Sequence, residues 1–355
     1  MSERSLCIKI KKIQGQEALI LTKKLGILRK QLAIQKNGNY LYLPINRHPE
    51  KEELLKLGRE FSDFQISKRV FSKKKRTRKI VQALHDQLPP DLRAALPRAL
   101  DLIGDIAIIE IPVELKVHEK LIGEAILATH KNVRTVLAKI GPIRGTYRLR
   151  RFEIIAGEQR TSTLHKEYGC KYKVDVTKAY FSPRLSHEHN RIASLIEKGE
   201  TVVDLFAGVG PFSVLIAKRN VDTRVYAVDI NPDAIDLLKK NIRLNRVENR
   251  VFPLLGDVKD VYGKRLLGVA DRVIMNLPER AIEFVDIACE IIKPEGGIVH
   301  FYGFIRLPDS LENLQLGFSE AVKKAGRTIG DFLSQKTIRA TAPYEWQIVL
   351  DVRIQ

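Results

Sequence analysis

From Ala179 onward the sequence alternates short apolar runs with amphipathic stretches. That regularity restricts the second half of the chain to a mostly parallel α/β sheet wound on both faces. The pattern predicts strands at Thr201–Phe206, Arg224–Asp229, Arg250–Leu255, Arg272–Asn276 and Gly297–Tyr302. Helices fall between them at Pro211–Lys218, Ala234–Leu244 and Ala281–Ile292. Two further strand-like runs fill Thr328–Ile354, the last being WQIVLDVRI, and together they predict a terminal antiparallel hairpin.

The first of these strands runs into DLFAGVGPF, Asp204 to Phe212, and then a helix. Gly208 and Gly210 permit a tight turn and a close approach of backbone to ligand, with Phe206 on the same turn. A dinucleotide fold calls for a third glycine, with pyrophosphate seated on the helix N-terminus, but Ser213 occupies that place. Asp204 at the strand end would repel a pyrophosphate and can pair with an ammonium group. The second strand ends at Asp229-Ile230, where a carboxylate can accept both hydroxyls of a ribose, and the third ends at Gly256-Asp257, within reach of an adenine amino group. Any one of these acids could be a simple helix cap. Set in register with one glycine turn, they point to S-adenosylmethionine. Asn231-Pro232-Asp233 is expected to open a helix in the capping manner.

The fourth strand ends in Asn276-Leu277-Pro278, at the edge of a doubly wound sheet that faces the cleft. An amide followed by a proline-fixed backbone can present oriented donors and acceptors to a planar, nitrogen-containing substrate. The same residues also suit an ordinary turn.

The first half of the chain is different. Residues 1–170 hold 34 basic and 18 acidic side chains, a balance of +16, whereas residues 171–355 hold 27 and 24, a balance of +3. A surface made basic only for solubility has no reason to be so lopsided, so the excess points to a polyanion partner. Residues 1–67 read as a small α/β domain, with a helix within Ala18–Leu28 and a turn and strand within Asn37–Ile45. Residues 68–80 follow as a basic linker, six of the seven residues Lys73–Lys79 being Lys or Arg. Residues 81–176 form a second α/β region. It has helical pieces at Val81–Leu88 and Asp91–Leu96, a buried strand at Asp105–Pro112, helical spacing of Leu121, Ile122, Ala125 and Ile126, and a basic strand-like stretch at Arg144–Glu158. Residues 177–355 make the cofactor-binding domain. Three scattered cysteines, Cys7, Cys170 and Cys289, form neither a disulfide framework nor a metal pattern. With no signal-like or membrane-length apolar run, the expectation is a cytoplasmic protein free of metal and membrane.

DLFAGVGPF, DINPDAI, MNLP and KAYFSPRLSHEHNRI together resemble the tRNA guanine-37 N1-methyltransferases of the archaeal and eukaryotic type, in the archaeal form with an extra N-terminal domain. The resemblance implies methyl transfer from S-adenosylmethionine to N1 of a guanine extracted from the anticodon loop. It also implies that the small first domain touches the outer corner of the tRNA; no protein partner is implied, and a monomer is the expectation. Guanine N1 carries a proton, and charge grows on O6 as it leaves, so a base and a donor are both needed. The resemblance makes Glu188 the base and Arg148 the group beside O6. Asn276 and Pro278 frame the target and the methyl donor, and Tyr180 and Arg184 line the cofactor and the flipped base. Glu188 could instead be a first-turn helix acid, and Arg148, beside Arg150 and Arg151, a phosphate contact. Two alternatives remain at this point: an aminocarboxypropyl transferase acting on tRNA with the same cofactor, and a non-catalytic RNA-binding protein that keeps the fold.

Overall fold

The structure is a computed structural model that describes residues 2–61, 63–72, 80–84, 87–97 and 99–355. It divides into two compact units, Met1–Lys79 and Ile80–Gln355. The basic run Lys73–Lys79 lies outside the described residues.

The first unit is a four-stranded antiparallel sheet in the order Gln35–Asn37, Tyr40–Ile45, Ser2–Lys11, Gln65–Ser72, with helices Gly15–Lys24 and Lys51–Glu60. Ile8, Ile10, Ala18, Leu43, Leu57 and Phe61 are buried at its centre. The helix expected within Ala18–Leu28 begins and ends earlier. Gly26, with φ of +69°, turns the chain out of it. The last strand pairs with Ser2–Lys11 as far as Ser72, so the expected domain end at residue 67 falls inside a ladder.

In the second unit, Asp101–Ile103, Ile106–Ile109, Thr135–Arg144 and Leu149–Gly157 form a four-stranded sheet, and helix Glu119–Thr129 packs on it through Ile122, Ala125 and Ile126. All four residues of Ile106–Ile109 are buried, as their apolar run predicts, in a strand shorter than expected. The basic stretch at Arg144–Glu158 proves to be a turn followed by one strand of this sheet. A two-stranded hairpin, Ser162–Glu167 and Cys170–Asp175, leads to the last domain.

That domain is a seven-stranded sheet of β1 (Thr201–Asp204), β2 (Arg224–Asp229), β3 (Val251–Leu255), β4 (Arg272–Met275), β5 (Gly297–Arg306), β6 (Ile329–Ala342) and β7 (Glu345–Ile354). The order is β3-β2-β1-β4-β5-β7-β6; the first five strands are parallel, and β7 runs antiparallel between β5 and β6. Helices α1 (Ser186–Leu195), α2 (Pro211–Arg219) and α3 (Pro232–Asn245) cover one face. Helices α4 (Val258–Arg265), α5 (Val285–Ile291) and α6 (Leu311–Lys324) cover the other. Successive residues of β1 point to opposite faces, Val202 into the first core and Val203 into the second, which is why each strand is apolar throughout. Strand order reverses beside β1, and the crevice beyond the carboxyl ends of β1 and β4 is where such sheets hold ligands.

Candidate active site

A cleft opens at that crevice, between the glycine turn after β1, the turn after β4 and the loop Gly145–Arg148 of the preceding sheet. The turn after β1 depends on its glycines. Gly208 and Gly210 have φ of +55° and +86°, and a Cβ on Gly210 would stand 2.3 Å from Leu238 Cδ1. Gly208 N–H donates to Asp229 Oδ2 at 2.7 Å, and Asn231 N–H donates to Oδ1 at 2.8 Å. The Asp229 carboxylate therefore faces the cleft with its orientation fixed and further lone pairs on both oxygens. Burial pushes its pKa above the usual range against these two donors. Asp257 caps α4, accepting from Lys259 N–H at 3.0 Å, and also lines the cleft with Phe206, Gly208 and Ile230. Asn231 caps α3 by accepting from Asp233 N–H, as its sequence predicts.

Asp204 is elsewhere. On a strand that alternates faces, it follows Val203 and so points towards α2, where Oδ2 accepts from Ser213 Oγ at 2.7 Å. The residue is fully buried beneath the turn, does not line the cleft, and leaves Oδ1 without a partner among the described residues. Burial pushes its carboxyl up to about 7. Gly210 shapes the turn as the residue before α2 and also does not line the cleft.

On the opposite wall are Arg148, Tyr180, Asn276 and Pro278, which the sequence reading grouped and the fold brings together. Arg148 sits in the left-handed region at φ of +55°, at the end of a tight turn closed by its N–H on Gly145 O. Its guanidinium lies over the Tyr180 ring, 5.5 Å from the centroid, and donates to Glu279 at 3.1 Å. Its Nε is buried with no partner among the described residues. Such a donor beside a cleft suits an acceptor oxygen on a ligand. Arg184 lines a second cavity that adjoins this cleft, and Nε bonds Asp101 at 2.6 Å.

Glu188 is not in the cleft wall, although its neighbours Leu185 and His189 are. Its carboxylate is buried, bound by Arg191 through both oxygens at 2.6 and 2.8 Å, and accepts from Tyr302 Oη at 2.7 Å. Arg191 also bonds Asp351, which His300 meets at 2.7 Å. Burial pushes Asp351 up, but its hydrogen bonds from His300 and Arg191 outweigh this and hold it at about 2. His189 rests edge-on against Phe212 and bonds Glu167 at 2.7 Å.

Sequence reasoning missed Arg339 and Gln347 of the terminal hairpin, both of which line the cleft. Each lies in a run that reads only as strand, and no local motif marks either. Among the described residues no cluster of acidic, His or Cys side chains could hold a metal ion, and no helix is long and apolar enough to cross a membrane.

Residues 163–328 match the TRM5/TYW2 methyltransferase domain, residues 80–161 the TYW2 N-terminal domain, and residues 7–53 the tRNA methyltransferase 5 N-terminal domain. The tRNA (guanine(37)-N(1))-methyltransferase Trm5b of Pyrococcus abyssi is 41% identical over 99% of this chain and 99% of its own. The solved complex of aTrm5 and tRNALeu covers 99% of this chain and 100% of its own, at 33% identity and a TM-score of 0.68. The tRNA(Phe) (4-demethylwyosine(37)-C(7)) aminocarboxypropyltransferase of Pyrococcus horikoshii is 35% identical over 78% of this chain and 96% of its own.

Proposed function

Since this chain belongs to the TRM5/TYW2 methyltransferase family, we propose that it transfers a methyl group from S-adenosylmethionine to N1 of guanosine 37 in tRNA. The observation that carries this reading is the likeness to the Pyrococcus abyssi guanine-37 methyltransferase across 99% of both chains, N-terminal unit included. The aminocarboxypropyl transferase relative is matched along nearly all of its own length yet leaves about a fifth of this chain unmatched, which disfavours that alternative.

The residues present fit the cofactor. Asp229, fixed by two backbone donors, takes the ribose hydroxyls, Asp257 takes the adenine amino group, and Phe206, Gly208 and Ile230 complete the cradle. Asp204 and Gly210 support it from beneath the turn, Asp204 held there by Ser213. When bound, S-adenosylmethionine supplies an electrophilic methyl group.

Within the cleft, Arg148 turns its unpartnered Nε to guanine O6 and steadies the charge that grows there as N1 loses its proton. Tyr180 and Pro278 bracket the purine, and Asn276 meets its edge. Glu188 accepts the N1 proton. To do so its carboxylate leaves Arg191 and Tyr302 as the tRNA closes on α1, because from its resting position it does not reach the cleft. Arg184, held by Asp101, borders the flipped base from the adjoining cavity. The first unit docks on the outer corner of the tRNA, and the enzyme works as a monomer in the cytoplasm.

Labelled S-adenosylmethionine with tRNA transcripts carrying G or A at position 37 tests the activity. The expected product is N1-methylguanosine on the G transcript alone. An aminocarboxypropyl adduct, or no product, overturns the reading. A chain lacking residues 1–79 with unchanged tRNA affinity and turnover overturns outer-corner docking.

A further inference from the structure

A chain of side-chain hydrogen bonds runs along the cleft wall from Ser182 to Asn276. Arg339, on β6, donates from Nη1 to Ser182 Oγ at 3.0 Å and from Nη2 to Tyr180 Oη at 3.3 Å. Its Nε donates to Gln347 Oε1 at 3.0 Å. Gln347, on β7, is 1% exposed, and its Nε2 donates to Asn276 Oδ1 at 3.4 Å. None of these residues past Asn276 belongs to a recognised motif of the sequence, and Arg339 forms no ion pair with any acid among the described residues.

The directions along this chain are not free. A guanidinium has five donors and no acceptor, so the Gln347 atom that faces it is the oxygen. The Gln347 amino group must then face Asn276, and what it meets there must be an acceptor, the Asn276 oxygen. The polarity of the Asn276 carboxamide is thereby set from two residues away. Its Nδ2 finds no protein acceptor among the described residues, on a side chain that lines the cleft.

We propose that Arg339 and Gln347 are positioning residues that hold Asn276 with its amino group towards the cleft, and that this orientation selects a purine with an oxygen, not an amino group, at C6. The inference rests on the reading that a guanine is the target. Guanine O6 has two lone pairs, one for Arg148 Nε and one for Asn276 Nδ2. An adenine in the same place sets its own amino group against both donors, and polar groups buried without partners are what gives strong discrimination between bases.

The decisive variant is Gln347→Glu. A carboxylate still accepts from Arg339 but cannot donate to Asn276, so the Asn276 amide turns over and offers its oxygen to the cleft. The measurements are kcat/KM on transcripts with guanosine, inosine or adenosine at position 37, alongside cofactor Kd. Inosine keeps the 6-oxygen and lacks the 2-amino group. The wild-type chain is expected to methylate the guanosine and inosine transcripts within about tenfold of each other and to leave adenosine untouched. Gln347→Glu is expected to lower kcat/KM on both 6-oxo transcripts by at least about tenfold, narrowing the gap to adenosine, and by a larger factor than any change in cofactor Kd. Arg339→Lys, which still donates, keeps the wild-type preference. Guanosine turnover within twofold of wild type in Gln347→Glu overturns the relay. If that variant loses thermal stability, Arg339→Met carries the same test, because it releases the Gln347 oxygen, and an unaltered preference in it is equally fatal. If the wild-type chain methylates no transcript, the functional reading fails. The relay is then decided by competition between guanosine- and adenosine-bearing anticodon stem-loops for binding to the wild type and Gln347→Glu, an identical preference overturning it.

Discussion

Tyr302 donates its hydroxyl to Glu188 at 2.7 Å behind the cleft wall, and Arg191 bonds the same carboxylate from α1. The proposed base is thus stored in a buried polar network. Glu188→Gln keeps the shape and an acceptor for Tyr302 but cannot take a proton. Turnover should fall by roughly two to four orders of magnitude while cofactor Kd, measured by equilibrium dialysis, stays within twofold. A Gln variant turning over within threefold of wild type would leave Glu188 a structural ion-pair partner only.

Arg148 is expected to act through an oriented fork and not through charge alone. Lysine there keeps the charge and loses the Nε–H geometry, so Arg148→Lys should lower kcat/KM by about tenfold or more. Glu279 is about half exposed, and its pair with Arg148 should add little to stability. Glu279→Gln is therefore expected to shift the thermal midpoint by less than about 2 °C. A large loss of stability in that variant would contradict this account of the pair.

Asp204 carries a pH signature. Its folded-state pKa, about 7, lies above the ordinary carboxyl value of 3.8, so its share of stability is fully present below pH 4 and is lost as pH rises through about 7. Three pKa units correspond to at most about 4 kcal/mol. Urea unfolding of the cofactor-free protein at pH 5 and pH 8.5 should show this loss, and Asp204→Asn should remove most of it. If Asp204 pairs with the cofactor ammonium, cofactor affinity in the wild type will tighten over the same pH range. An affinity flat across pH 5.5–8.5 would exclude that contact.

The two glycines of the turn should not respond alike. Alanine at Gly210 brings both a strained φ and a Cβ 2.3 Å from Leu238 Cδ1, a loss of about 3 kcal/mol. At Gly208 the nearest atom to an added Cβ is Tyr180 O at 3.6 Å, so the strain of φ alone remains, about 1 kcal/mol. Chemical denaturation of the two variants measures the difference, and equal losses would contradict it.

Much of this domain was legible because its signals are local. The alternation of apolar strands and amphipathic helices, the glycine turn, and Asp229, Asp257 and Asn276 at strand ends each depend on a few adjacent residues and on the rule that parallel sheets bind ligands at their carboxyl edge. Positions that depend on which face an element turns inward were not legible. Asp204 goes beneath the turn because it is one residue past Val203 on an alternating strand. Leu185, just before α1, and His189, four residues on, put that face at the cleft, whereas Glu188 and Arg191, three apart, turn to Tyr302 and Asp351. Arg339 and Gln347 were invisible for another reason. Pairing of β7 with β5 sets Gln347 opposite Phe304, 43 positions earlier in the chain, and pairing of β6 with β7 sets Arg339 opposite Gln347.

The insertion of β7 between β5 and β6 also orders events during synthesis. A growing chain that has passed β5 can already close the parallel half of the sheet and the glycine turn, since every strand they need has emerged. Until Glu345–Ile354 arrives, β5 presents an open edge, the kind of template that invites foreign strands. The nascent protein would acquire a place for its cofactor before Gln347 completes the cleft beside it. A ribosome stalled short of residue 345 would hold a pocket open on one side, with an unguarded strand beside it.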